Sequence, residues 1–162
     1  DYKTLIESVA RLSRNDLRLC IVGYGALEAQ IKAWVKEFGL ANKTEIYIKP
    51  DNVQELELNA DIYISTSLFE GTSNSIMEAL NWSLPVVATN VGDNNRLVID
   101  GENGFLHQVG DVCGLSESLN MLLDSVELRN EMGRKGNKNL RDNYSIEIFE
   151  KRYIDLIEGN IE

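Results

Sequence analysis

The stretch that decides the fold runs from Asp61 to Asn90: DIYISTSLFEGTSNSIMEALNWSLPVVATN. Asp61 to Thr66 alternates and is rich in Ile and Tyr, which predicts a strand. Leu68 to Ser75 reads as a loop carrying Glu70, Gly71 and the small polar run Thr72, Ser73, Asn74 and Ser75. Ile76 to Trp82 reads as a helix. Pro85 to Ala88 is a short apolar strand of the type buried on both faces. Two carboxylates, Glu70 and Glu78, bracket the point where loop becomes helix.

A helix start carries unpaired N–H groups and about half a positive charge. With small residues before it, the backbone can approach an anion closely, so this end is a ready phosphate site. A carboxylate only accepts hydrogen bonds, which suits sugar or ribose hydroxyls. Together these features describe a nucleotide-sugar pocket. A second reading stands beside it: Ser75-Ile-Met-Glu78 has the spacing of a capping box, with Glu78 bonded back to the backbone of Ser75. Glu70 taken alone is a solvated loop charge.

Working outward, 162 residues make one domain with room for a real core. Hydrophobic residues at 43% and charged residues at 26% are ordinary for a globular protein. No apolar run approaches the roughly 20 residues that span a bilayer, and no secretory signal is read, so a cytoplasmic setting is expected. A net charge of −10 speaks against nonspecific nucleic-acid binding and against a basic membrane-binding face. Phosphate binding must then rest on local amides and a few placed cations. Cys20 and Cys113 are expected as lone buried thiols, with no disulfide and no metal. His107, the single histidine, is expected at a strand end with no catalytic part. Asn42, Asn81 and Asn143 begin Asn-x-Ser/Thr matches that mean little without a secretory route.

In chain order, Leu5, Ile6, Val9 and Leu12 form an apolar helical stripe. Leu17 to Gly23 is a buried strand, followed by Gly23-Tyr-Gly25 and a helix with Leu27, Ile31, Val35 and Phe38 on one face. Gly39 ends that helix at the C′ position. Strand, Gly-x-Gly, helix is half a dinucleotide fingerprint, but Glu28 stands where the third glycine belongs, which disfavours NAD. The glycine pair is read from the residues as a tight strand-to-helix turn. Glu45 to Lys49 is a strand, Pro50-Asp51-Asn52 a turn, and Val53 to Asn59 a short helix. Gly92 to Ile99 is another short helix, and Phe105 to His107 the last strand. Three helical stripes follow: Leu115, Leu119, Leu122; then Leu128, Met132, Leu140; then Ile146, Phe149, Tyr153, Leu156. Arg134, Lys135, Lys138 and Arg141 make a solvated face. Strands alternating with helices predict an α/β fold: a Rossmann-like parallel sheet with helices on both faces. Ligands of such sheets bind beyond the strand carboxyl ends.

The stretch Glu70-Gly-Thr-Ser-Asn-Ser-Ile-Met-Glu78-Ala-Leu resembles the Glu-x7-Glu motif of the retaining, GT-B fold glycosyltransferases of the GT4-like group. Leu84-Pro-Val-Val-Ala-Thr-Asn-Val-Gly92 and Asp100-Gly-Glu-Asn-Gly104-Phe-Leu are similar to the segments that follow in that family. Ser83 stands where the family has Gly, and Lys49-Pro50 where a Gly is also expected. Asp1 to Ile6 resembles the helix just after a phosphate-binding Arg and Lys, and Lys3 does not occupy that lysine's place.

The resemblance implies the carboxy-terminal, donor-binding half of a GT-B enzyme, with residues 1–162 as a single nucleotide-sugar-binding domain. The first strand and the amino-terminal acceptor domain are expected outside this chain. It implies Glu70 on the donor sugar, as the catalytic residue, and Glu78 on the ribose. Gly71, Thr72, Ser73, Asn74 and Ser75 would line the diphosphate, with Gly23 and Gly25 nearby. The implied partners are a nucleotide diphosphate sugar, UDP before GDP, and the enzyme's own amino-terminal domain. Neither a cofactor nor a metal is implied, and membrane association would come only through the missing domain. The expected function is sugar transfer to an acceptor hydroxyl in bacterial surface polysaccharide or glycolipid synthesis, by the full-length parent and not by this fragment. The alternatives are a sugar-nucleotide epimerase-like domain and a non-catalytic α/β interaction domain.

Overall fold

Helices and strands alternate through the first two thirds of the chain in the computed structural model, which describes residues 1–160. The order is α1 (Tyr2–Arg11), β1 (Leu19–Gly23), α2 (Glu28–Glu37), β2 (Thr44–Ile48), α3 (Val53–Leu58), β3 (Tyr63–Ser65) and α4 (Asn74–Asn81). Then come β4 (Val86–Thr89), α5 (Asn94–Leu97), β5 (Gly104–His107), α6 (Val112–Asp124), α7 (Val126–Tyr144) and α8 (Ile146–Glu158). Among the described residues every strand pairing is parallel, as the alternation predicts. The ladder falls into two pieces, β1-β2 and β3-β4-β5. The residues Asp1 and Tyr2 lie across the carboxyl ends of both pieces. Thr66 Oγ1, just past β3, donates to the Asp1 carbonyl at 2.8 Å. The Tyr2 hydroxyl sits 3.0 Å from where a Cβ on Gly23 would be.

β4 divides the core. All four of its residues are buried, and alternate side chains point to opposite faces. Val87 joins a cluster with Leu5, Ile6 and Val9 of α1, Ile31 and Val35 of α2, and Leu115, Leu119 and Leu122 of α6. Val86 and Ala88 join Ile76, Ala79 and Leu80 of α4 and Leu97 of α5. Helices therefore cover both faces of the sheet at β4, as expected.

Several expectations are corrected. Cys20 and Cys113 are exposed, not buried. The burial of β1 alternates, with Leu19 and Ile21 inside and Cys20 turned outward beside Glu45 and Arg18. Cys113 lies in the first turn of α6, outside the stripe of Leu115, Leu119 and Leu122. α4 begins at Asn74, two residues before the expected start at Ile76.

The two departures from the family's glycines fall at left-handed backbone: Ser83 has φ 59° and Lys49 φ 47°. Ser83 follows the last turn of α4, where its N–H bonds to the Leu80 carbonyl at 3.0 Å and Leu84 N–H to the Ala79 carbonyl at 3.0 Å. This is a Schellman ending, whose C′ residue must be left-handed. α2 ends the same way on Gly39, φ 73°, as the sequence predicts. Serine takes that conformation at a cost that glycine avoids.

α7 presses on the end of α4 through glycines. A methyl on Gly133 would overlap the Ser83 carbonyl oxygen, and one on Gly136 would crowd the Leu80 side chain. Asn137 Nδ2 donates to the carbonyls of Asn81 at 2.7 Å and Leu80 at 3.2 Å. The carbonyls that α4 would leave bare are thus occupied.

Two substitutions test this seam in urea unfolding. Ser83→Gly is expected to raise stability by about 1 kcal/mol, through relief of left-handed strain. Gly133→Ala is expected to lower it by about 3 kcal/mol, because the added methyl meets backbone that cannot move aside.

Candidate functional site

Parallel strands deliver all their carboxyl ends to one rim. The loop from β3 to α4 crosses that rim, and its shape is held from two sides. Thr89, the last residue of β4, donates from Oγ1 to the Ser67 carbonyl at 2.7 Å. Ser67 Oγ in turn donates to Glu70 Oε1 at 2.7 Å, which fixes one oxygen of that carboxylate. The turn after β4 presses against the same loop. Gly92, φ 53°, lies against the Glu70 carbonyl so closely that a Cβ would overlap it. Thr72 Oγ1 donates to Asp93 at 3.1 Å, and Arg96 pairs with Asp93 at 3.4 Å. The fully buried Asn94 donates to the Thr89 carbonyl at 2.9 Å, which locks the turn to β4.

The start of α4 is open. Its N-cap is Ser73, 3% exposed, and no side chain accepts from the first-turn amides. Ser73 Oγ instead lies 3.2 Å from Ser75 Oγ. The capping-box expectation therefore fails. Ser75 is already inside the helix, so Glu78 is in its fifth position and cannot fold back as a box requires. Glu78 is exposed, and among the described residues its carboxylate forms neither a hydrogen bond nor an ion pair. The eight-residue helix thus presents bare amides and the positive end of its dipole.

Tyr63, on β3, lies in the field of both acids. Burial pushes its phenol above the ordinary value, and the charges of Glu57, Glu70 and Glu78 push the same way, against the Ser75 hydroxyl. Glu70 and Glu78 therefore act on one shared neighbour. Sequence reading missed Tyr63 and Glu57; each looks like an ordinary member of a strand or a helix.

Gly23 and Gly25 stand apart from this group, across Asp1 and Tyr2 on the same rim. With Tyr2, Tyr24, Ile31 and Ile48 they line a hollow of about 200 Å³. Gly25 has φ 148° and open space around it. The Lys49 ammonium lies 4.3 Å from the centre of the Tyr24 ring. His107 closes β5, as expected, with Nε2 2.9 Å from Ser118 Oγ and Nδ1 3.5 Å from Asp111. Ser118 is 5% exposed, so this trio ties β5 to α6 and offers no open nucleophile. Among the described residues no group of three His, Cys, Asp or Glu is placed to hold a metal ion. None of the described helices is long and apolar enough to cross a membrane.

Two parallel sheet pieces with helices on both faces, and a loop-to-helix turn flanked by acids at the strand ends, define a domain of the GT-B glycosyltransferase type. The chain belongs to the Glycosyl transferases group 1 family, whose model matches residues 1–139. It is 30% identical over 140 residues to the putative glycosyltransferase EpsD of Bacillus subtilis, covering 85% of this chain and 37% of that protein. It is 25% identical over 156 residues to the lipopolysaccharide core biosynthesis glycosyltransferase LpsE of Rhizobium meliloti, covering 96% and 45%. The chain thus spans less than half the length of these curated relatives. Among solved structures, Anabaena HepE in complex with UDP superimposes with a TM-score of 0.88 at 19% identity, over 96% of this chain and 44% of that one. The carboxy-terminal domain of the group 1 protein LpcC of Francisella tularensis does so with 0.79 at 21%, over 89% and 79%.

The Glu78 carboxylate has no partner among the described residues. Glu78→Ala is expected to leave stability within about 0.5 kcal/mol of the parent chain, as for a surface position. A loss of about 1 kcal/mol in urea unfolding would mark it as a cap after all.

Proposed function

We propose that this chain is the donor-binding domain of a retaining glycosyltransferase, taking a nucleotide diphosphate sugar, UDP before GDP. The observation that carries the reading is Glu78: an exposed carboxylate with no structural partner among the described residues, one turn past an uncapped helix start. The Asn74 to Ile76 amides and the dipole of α4 would receive the diphosphate, and their positive field would stabilise charge on the leaving group. Glu78 would accept from the ribose hydroxyls. Glu70, one oxygen held by Ser67, would present the other to the donor sugar and act as the catalytic residue. Gly71, Thr72, Ser73 and Ser75 would let the chain approach the phosphates, and Gly23 and Gly25 would border the donor from across the rim.

In the transfer itself the bond from the anomeric carbon to the diphosphate breaks. A bond to the acceptor oxygen forms on the same face, and the acceptor proton passes to the released phosphate. No divalent metal and no cofactor takes part in this scheme. The relatives support the direction of the reading, since EpsD is described as a putative glycosyltransferase and LpsE as a lipopolysaccharide core enzyme. HepE has been seen with UDP, with UDP and glucose, and with UDP-glucose. Polysaccharide or glycolipid synthesis in the cytoplasm, against an acceptor held by an amino-terminal domain, is the setting we assign. α8 supports that partner: Ile146, Phe149, Tyr153 and Leu156 are all more than half exposed, and the helix buries no residue. The domain by itself is expected to bind donor and transfer nothing.

Calorimetric titration with UDP and GDP tests the assignment. Saturable UDP binding is expected, weakened at least about tenfold in Glu78→Ala, since a hydrogen bond to a charged group is worth roughly 1.5–3 kcal/mol. Affinity unchanged in that variant would remove Glu78 from the donor site. No binding of either nucleotide would leave an interaction domain.

A further inference from the structure

Asp93 is the N-cap residue of α5, a place where an aspartate ordinarily accepts from first-turn amides. Its carboxylate makes no such bond. It is turned instead to the loop between β3 and α4, where Oδ2 accepts from Thr72 Oγ1 at 3.1 Å. The Asp93 amide reaches the same loop, donating to the Gly71 carbonyl at 3.4 Å. Gly92, one residue earlier, has no Cβ to hold the Glu70 carbonyl away. Three consecutive loop residues, Glu70, Gly71 and Thr72, therefore rest on two residues of the turn between β4 and α5. The other foot of the loop rests on the same segment, since Thr89 Oγ1 donates to the Ser67 carbonyl at 2.7 Å. Glu70 stands between these feet, with one carboxylate oxygen bonded to Ser67. The remaining partner of Asp93 is Arg96 at 3.4 Å, whose side chain is 72% exposed, and a pair of that kind contributes little.

We propose that Asp93 is a positioning residue for the donor sugar: through Thr72 and Gly71 it sets where Glu70 stands, and so governs affinity for the sugar part of the donor and not for the nucleotide part. This rests on the donor-binding reading of Glu70 and α4. The two parts of the site are held by different contacts. The α4 amides assigned to the diphosphate belong to a helix fixed by the burial of Ile76, Ala79 and Leu80 and by Asn137 at its far end. Glu70 lies on the loop, and its place depends on the two feet. Release of the Asp93 foot therefore leaves the amides where they are and lets the Glu70 side chain drift. A shift of about 1 Å is enough to lose a directed bond. The Asp93 charge is not the active feature, because an anion beside the diphosphate opposes binding. What the clamp requires is an acceptor for Thr72, which an amide oxygen also supplies.

Calorimetry on the whole chain, with UDP and with UDP-glucose as the two probes, tests this. In Asp93→Ala the affinity for UDP-glucose is expected to fall by roughly five- to tenfold and that for UDP by less than about twofold, the difference being one displaced hydrogen bond. Asp93→Asn keeps the acceptor and drops the charge, and is expected to retain the parent chain's ratio between the two probes. Thr72→Val removes the donor from the other side of the contact and is expected to match Asp93→Ala. The double variant is expected to lose no more than either single one, since both break the same bond.

Equal losses for UDP and UDP-glucose in Asp93→Ala would make Asp93 a brace for the whole loop and overturn the proposal, with the donor reading left standing. Losses that add in the double variant, or an Asp93→Asn protein that behaves as Asp93→Ala, would overturn it as well. A parent chain that binds UDP and not UDP-glucose would remove the sugar claim alone. Failure to bind either probe would remove the donor reading, and the role of Asp93 with it.

Discussion

Helix α4 is satisfied at one end and open at the other, and the site depends on that asymmetry. Its last carbonyls are taken by the Schellman bonds at Ser83 and Leu84 and by Asn137 from α7. Its first amides have no side-chain cap. A helix whose two ends were equally well bonded would sit in the sheet as filler. Here the sealed end anchors the element so that the open end can stay unsatisfied, with amides aimed at the rim where the strands stop.

An acidic chain has a particular difficulty with an anionic ligand. With a net charge of −10, long-range steering would oppose approach of a diphosphate, and the charges of three carboxylates act on the Tyr63 phenol. Distant charges are screened beyond a Debye length of about 10 Å, whereas the first amides of α4 act well within it. Burial raises the Glu57 carboxyl above its ordinary value, and the Glu78 charge acts in the same direction. The fold tolerates this carboxylate because an indole N–H shares its burial and because a proton is available when the charge becomes too costly.

The loop and its neighbour illustrate how close approach substitutes for bonding. Gly92 lies on the Glu70 carbonyl, and Gly133 and Gly136 let α7 settle on α4. Neither contact contributes a large bond. Each removes a degree of freedom from the element that carries an acid, so the Glu70 backbone and the α4 axis are set by packing and not by the acid side chains.

Much was legible in the sequence. The alternation of strand and helix, the β3–loop–α4–β4 unit, the Gly39 helix ending and the apolar stripe of α8 all follow from periodicity and local propensity, which a chain carries without reference to its neighbours. What tertiary structure decided lies where one element meets another. Gly133 and Gly136 of the polar helix α7 carry no periodic signal in the sequence, and they form the seam with α4. Ser83 and Lys49 read as departures from a pattern, yet their backbones keep the left-handed turn that glycine would have taken. Cys20 faces out because only one side of β1 is covered there. Glu78 lost its cap role because α4 starts two residues earlier, at a point set by how the loop is clamped. Periodicity states which side chains can be buried together. Distances between elements, and the charges those distances couple, exist only once every surface has found its partner.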